Sequence, residues 1–150
     1  QKETFQMIIE VTLGEESDYE TVRNIHETLN EMIKEHKEEP EPLSLDKTEV
    51  KKIFEKSGVG AEKMENFDQN FEANAGEEAS LLASNIAETR KFNIETPDVT
   101  IKVNPERADL VETRIIDGRQ CLVIPLDDHI EVNGINVRTI RSSKQEQEEG

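Results

Sequence analysis

A chain of 150 residues with 33% hydrophobic content, 4% aromatic content and no Trp has room for one ordinary domain, or two small subdomains sharing one core, drawn mostly from Ile, Val and Leu with five Phe. The net charge of −16 argues against broad contact with nucleic acid or an anionic membrane, because phosphate neutralisation needs clustered Lys and Arg. The single cysteine, Cys121, excludes an internal disulfide framework and a Cys-based zinc site and, with the acidity, points to a reducing, cytoplasmic compartment; no apolar run approaches membrane-spanning length.

Phe5, Ile8, Ile9, Thr12 and Leu13 fall at helical spacing and predict a first helix closed by Gly14. Ser17 with Glu20 reads as a capping box, and Asp18 adds negative charge to the first turn of a second, longer helix. The stripe of that helix is Val22, Ile25, Leu29, Met32, Ile33 and His36, with largely acidic or Lys positions between. Glu38-Glu39-Pro40-Glu41-Pro42 breaks the pattern and predicts an extended connector. Asp46 caps a third helix, with Glu49 as its box partner, Val50, Ile53 and Phe54 as the buried side, and Ser57-Gly58 as its end. A fourth amphipathic segment carries Met64, Phe67 and Phe71 on one face and closes at Gly76. The third and fourth segments are short, so their stability must come from packing.

Near residue 80 the apolar period changes from about 3.6 to about 2 residues. Leu81 to Ala87 fits strand, short helix or connector equally well. Phe92 and Ile94 alternate with polar residues as far as Thr96-Pro97; Val99, Ile101 and Val103 alternate again before a turn at Asn104-Pro105. Asp117-Gly118 joins 110–116 to 119–125, and Asn133-Gly134 joins 129–132 to 135–138, both as tight hairpins. Two-residue turns fix register. Val111, Ile115, Leu122 and Ile124 then share a face with Thr113 and Gln120, opposite Glu112, Arg114, Ile116, Arg119, Cys121 and Val123. In the second hairpin Ile130, Val132, Ile135 and Val137 oppose His129, Glu131, Asn136 and Arg138. The expected architecture is α+β: N-terminal amphipathic helices over 1–79, a half-buried C-terminal antiparallel sheet of hairpins over 80–141, and a disordered tail over 142–150, the whole making one compact unit.

Three alternate strand positions, Asp127, His129 and Glu131, point the same way and form the metal candidate. Asp128 points oppositely, and a divalent ion would need a further ligand from another element. The competing reading is an ordinary solvated face, with Arg138 opposite His129. His26-Glu27 begins the helical zinc-protease pattern, but Asn30 stands where the second His is required; His26 and His36 therefore read as helix-flank residues. Cys121 lies opposite Arg114 and diagonal to Glu112 and Ile116, with no His in that pairing to act as base, and reads as small filler. There is no Gly-x-Ser-x-Gly elbow, and Gly58-Val59-Gly60 is followed by Ala61-Glu62 rather than the Lys of a phosphate loop.

The basic residues change type along the chain. Residues 1–79 carry eight Lys and only Arg23, whereas 80–150 carry Arg90, Arg107, Arg114, Arg119, Arg138 and Arg141. An anion site would sit in the second part, with Arg114 and Arg119 on one face as the candidates, against simple pairing with local acids. Acidic helices and few aromatics disfavour nucleic acid. No catalytic set and no cofactor site emerges. The reading is a non-catalytic interaction or regulatory module, its alternatives a metal-binding or hydrolytic domain and a weak anion or nucleic-acid binder.

The runs Thr96-Pro97-Asp98-Val99, Lys102-Val103-Asn104-Pro105-Glu106-Arg107, Ile116-Asp117-Gly118-Arg119-Gln120-Cys121-Leu122-Val123-Ile124-Pro125 and Glu131-Val132-Asn133-Gly134-Ile135-Asn136-Val137 resemble the C-terminal part of an uncharacterised bacterial family classed as a domain of unknown function. Leu13-Gly14-Glu15-Glu16, Glu38-Glu39-Pro40-Glu41-Pro42-Leu43 and Leu82-Ala83-Ser84-Asn85 fit it as well. The resemblance implies a fragment of a longer cytoplasmic bacterial protein. Its partner would be another protein or the N-terminal part that precedes Gln1, with self-association as a further option. It implies no activity, catalytic residue or cofactor.

Overall fold

The computed structural model describes residues 1–126 and 129–138; the tail expected over 142–150 lies outside them. Two compact units divide at Asp109–Leu110, later in the chain than the change of apolar period.

In the first unit, α1 (Lys2–Leu13) buries Phe5, Ile8, Thr12 and Leu13 and ends at Gly14, whose φ of 63° suits a residue without Cβ and whose N–H donates to the Glu10 carbonyl. Helix α2 (Tyr19–Glu35) is capped by Asp18, which accepts from the Thr21 N–H at 3.4 Å. The expected Ser17–Glu20 box does not form. Ser17 links the short 3-10 turn Gly14–Glu16 to the helix, and the neighbouring carboxylate, which complements the helix dipole, takes the cap. The buried stripe runs through Thr21, Ile25 and Leu29, leaving Val22 exposed.

After the proline segment the chain forms β1 (Ser44–Asp46) and enters α3 (Lys47–Lys56) through the expected capping box. The Glu49 N–H donates to Asp46 at 2.9 Å, and the Asp46 N–H donates to Glu49 at 3.3 Å. The single amphipathic segment expected next is two helices, α4 (Ala61–Met64) and α5 (Phe67–Ala75), broken at Asn66, which sits at φ −104° and ψ 14°. Asn is a weak helix former that favours helix ends and turns. The stretch that fitted strand or helix is both in turn. Its first part, β2 (Ser80–Leu82), pairs antiparallel with β1, Leu45 opposite Leu81, and α6 (Ala83–Ile86) follows directly. A hairpin of β3 (Phe92–Glu95) and β4 (Thr100–Val103) completes the regular elements before a 3-10 segment at Pro105–Leu110.

The core of this unit gathers Phe5, Ile8, Leu29, Leu45, Val50, Phe54, Phe67, Phe71 and Leu81. Phe54 is fully buried and meets Phe5 and Phe67 edge-on, at 6.2 and 5.2 Å between ring centroids. Such pairs add to the apolar area they remove from water.

The second unit contains two hairpins, β5 (Glu112–Ile116) with β6 (Arg119–Val123) and β7 (Ile130–Val132) with β8 (Ile135–Val137). The register follows the turn chemistry: Arg114 faces Cys121, Thr113 faces Leu122, and Ile130 faces Val137. Asp117 and Asn133 take φ of 51° and 50°, each followed by a Gly at positive φ, as tight hairpin turns require. The α+β order of N-terminal helices followed by antiparallel hairpins holds. Among the described residues each hairpin is its own two-stranded ladder, and Ile115 and Ile135 stay 71% and 68% exposed. A two-residue turn specifies only the pair of strands it joins; wider pairing needs further burial.

Replacing Phe54 by Ala should cost about 3–5 kcal/mol and Asp46 by Ala about 1 kcal/mol, read as shifts of the urea midpoint. Ile135→Ala should move it within about 0.5 kcal/mol. A Phe54→Ala chain as stable as the parent would contradict this core.

Candidate functional site

Of the polar residues singled out in the second unit, His129, Glu131, Arg114 and Arg119 are solvent-exposed. His129 and Glu131 point the same way across β7, with Nε2 3.6 Å from Oε2 and both side chains more than half exposed. Asp127, the third candidate, lies outside the described residues, as does Asp128. No group of three metal-capable side chains occurs among the described residues. Arg114 lies 3.6 Å from Glu112, the local pairing that competes with an anion site, and Arg119 is exposed on the same face. Cys121 is a free, half-buried thiol 3.5 Å from the Arg119 carbonyl. In the first unit Arg107 likewise donates to a local acid, Asp109, at 3.2 Å, and this bond holds the Asp109 carboxyl below its ordinary range.

The densest set of interacting polar groups lies on α2. Helical spacing brings Tyr19, Arg23, His26, Glu27 and Asn30 to one side of the helix, where Phe92 of β3 packs against it. The Phe92 ring meets Tyr19 at 6.2 Å and His26 at 5.0 Å. The Arg23 guanidinium lies 5.6 Å from the centre of the Tyr19 ring, and its Nε lies 3.2 Å from Glu27 Oε1 as an ion pair without hydrogen-bond alignment. Burial raises the Tyr19 hydroxyl above its ordinary value, with Arg23 opposing the rise.

Asn30 settles the state of His26. Its Nδ2 donates to His26 Nε2 at 3.0 Å and to the Glu88 carbonyl at 3.2 Å. Both amide hydrogens are used, so Nε2 is an acceptor and the neutral ring carries its proton on Nδ1. Burial lowers the His26 pKa, with Glu88 partly opposing the shift. Glu88 itself is held low, first by the Arg90 N–H at 2.8 Å and then by Lys2 and Arg90. The residue that spoils the zinc pattern is thus the one that bonds His26. The cluster ties α2 to the segment around 88–92 through a neutral imidazole whose Nε2 lone pair is occupied.

A second feature closes the other end of α2. A shallow groove of about 320 Å³ is walled by Ile33, Pro40, Pro42, Leu43 and Ala83, with His36 on its rim. Sequence reasoning put His26 and His36 on a helix flank. Asn30, four residues after His26, lies on α2 itself, but the other partners, Phe92, Glu88, Glu39 and Glu41, lie outside it, so its periodicity carried no signal of them.

A model of the family described as Domain of unknown function (DUF4317) matches residues 1–135. No curated protein and no solved structure matches the chain. Among the described residues no helix is long and apolar enough to cross a membrane.

The lowered His26 pKa gives a signed expectation. As pH falls below the ordinary imidazole value of about 6.5, the unfolded chain takes up the proton before the folded one. The contribution of His26 is therefore present above that value and is lost as pH falls from it through the lowered folded value. Urea midpoints from about pH 8 to about pH 5 should fall more steeply for the parent than for His26→Gln, which cannot titrate. Parallel curves would refute the buried neutral ring.

Proposed function

We propose that this chain, which belongs to the family of DUF4317 domains, is a protein-binding module that offers its hairpins after Leu110 to a partner. The observation that carries the reading is the distribution of uncovered apolar side chains. Seven of the eleven large hydrophobics that stand exposed among the described residues are Ile115, Ile116, Ile124, Leu126, Val132, Ile135 and Val137, all in the second unit. Apolar surface concentrated in this way marks contact sites more often than scattered single residues do. Each ladder is two-stranded, so its strands have outer edges on which an extended segment could add as a further strand, its alternate apolar side chains lying on these faces. The partner that fits is a separate protein presenting such a segment, met in a bacterial cytoplasm that the free Cys121 thiol suits.

A photo-reactive amino acid placed at Ile115 or Ile135 in native cells should give one shared heavier adduct, weakened by Val132→Lys, while the same group at Lys52 on α3 gives none. Adducts from neither hairpin would end the reading. Adducts at twice the chain's own mass would replace the separate partner with a second copy.

A second reading places a divalent cation at His129 and Glu131, with Asp127, and is favoured by the 3.6 Å approach of the first two. A cation bound only by the native state raises its stability, by about 2.7 kcal/mol at a hundredfold excess over Kd. Under this reading one of Mg²⁺, Mn²⁺, Zn²⁺ or Ca²⁺ raises Tm, and His129→Ala abolishes the rise. No rise with any of the four disposes of it.

A further inference from the structure

We propose that His36 is a proton-operated latch on the acidic diproline loop that carries the chain from α2 to β1. His36 is the C-terminal cap of α2, and its own N–H donates to the Met32 carbonyl at 3.0 Å, so the helix fixes its position. From there the ring reaches across the loop. Nδ1 lies 2.9 Å from the Glu39 carboxylate and Nε2 lies 2.6 Å from the Glu41 carbonyl. A carboxylate and a carbonyl are both acceptors, and a neutral imidazole carries only one N–H. The doubly protonated ring alone pairs as a cation with the Glu39 carboxylate while it donates to the Glu41 carbonyl; loss of one proton sets a lone pair against one of these oxygens and releases that contact.

Few other bonds hold the loop in place. Pro40 and Pro42 have no N–H to donate. The Glu39 N–H bonds back to the His36 carbonyl at 3.0 Å, and the far end is tied where Ala83 donates to the Leu43 carbonyl at 2.9 Å. Between these two points the loop is held by the His36 ring.

The charged groups around the ring are Glu35, Lys37, Glu39 and Glu41; the remaining groove neighbours, Met32 and Ile33 of α2, Pro40, Pro42 and Leu43, and Ala83 and Ser84 of α6, carry none. Of these side-chain types only imidazole changes charge between about pH 5 and 8. Pro40 and Pro42 of the loop wall the groove together with Ile33, Leu43 and Ala83, so release of the loop reshapes that groove with proton concentration. This device lies in the first unit and stands independently of the hairpin reading.

The test is amide exchange at Glu39 and Ala83, whose N–H groups bond the His36 and Leu43 carbonyls at the two ends of the loop at 3.0 and 2.9 Å, corrected for intrinsic rates, between about pH 5.5 and about pH 8, with the His36 ring proton followed by NMR in the same samples. Protection of the loop should fall roughly three- to tenfold at the higher pH, the loss of a partly exposed bond to a charged group. The midpoint should coincide with that of the His36 resonance, while Ile53 in α3 stays unchanged. His36→Gln should flatten the response, and Glu39→Gln should reduce it. Constant protection in the parent chain, a midpoint that follows His26 instead, or an equal fall in His36→Gln would each overturn the latch. The parent series decides the question even where a variant fails to fold.

Discussion

Four of the five phenylalanines form one run of ring contacts, and the first unit is assembled around it. Phe5 of α1 meets Phe54 of α3, Phe54 meets Phe67, and Phe67 meets Phe71 within α5, at centroid separations of 6.2, 5.2 and 6.0 Å. In a chain with no Trp and one Tyr, these rings supply apolar area that the aliphatic residues alone would not. Helices α3 and α5 have ten and nine residues, too short to stand alone in water. They persist because their buried faces meet along this run. The β1–β2 ladder belongs to the same core, since Leu45 and Leu81, which face each other, are both buried in it.

The acidic excess is compatible with this core because it is kept on the outside and used sparingly. Lys47 bonds Glu72 at 2.8 Å and Lys51 approaches Asp68 at 3.8 Å, two links between α3 and α5. The bond to Glu72 raises the Lys47 pKa. Lys2 reaches Glu88 at 3.7 Å and joins α1 to the segment after α6. Ion pairs this exposed orient elements more than they stabilise them. They sit where helices already pack, so charge selects among arrangements that the rings have made favourable.

What could be read in the sequence was what neighbouring residues specify. The Asp46–Glu49 box needs residues three apart, and both were found in place. Asp117-Gly118 and Asn133-Gly134 fixed two hairpins and their registers, and with them the shared side of His129 and Glu131. The failures lie where two local solutions compete or where the partner is remote. Ser17 and Asp18 are both good caps, and the choice depends on the preceding 3-10 turn. Strand β1 buries one side chain, Leu45, which leaves no alternation to see, and its partner follows only after α3, α4 and α5. His26 lay on a stripe flank until Phe92, from a later strand, covered it. His36 looked like the end of an apolar stripe and is a helix cap whose ring bonds the following loop.

Hydrogen-bond inventory distinguishes the two histidines of α2 better than position does. At His26 the neighbouring amide has spent both hydrogens, so the ring must accept, and burial against Phe92 favours its neutral form. At His36 both ring nitrogens face oxygens, one a carboxylate and one a carbonyl, so the ring must be protonated on both nitrogens to keep the ion pair and the hydrogen bond together. The same proton therefore acts in opposite senses along one helix. Acidification strains the tie between α2 and the 88–92 segment while completing the tie to the diproline loop. A helix whose two attachments respond oppositely does not simply loosen as pH changes. It shifts its restraint from one attachment to the other.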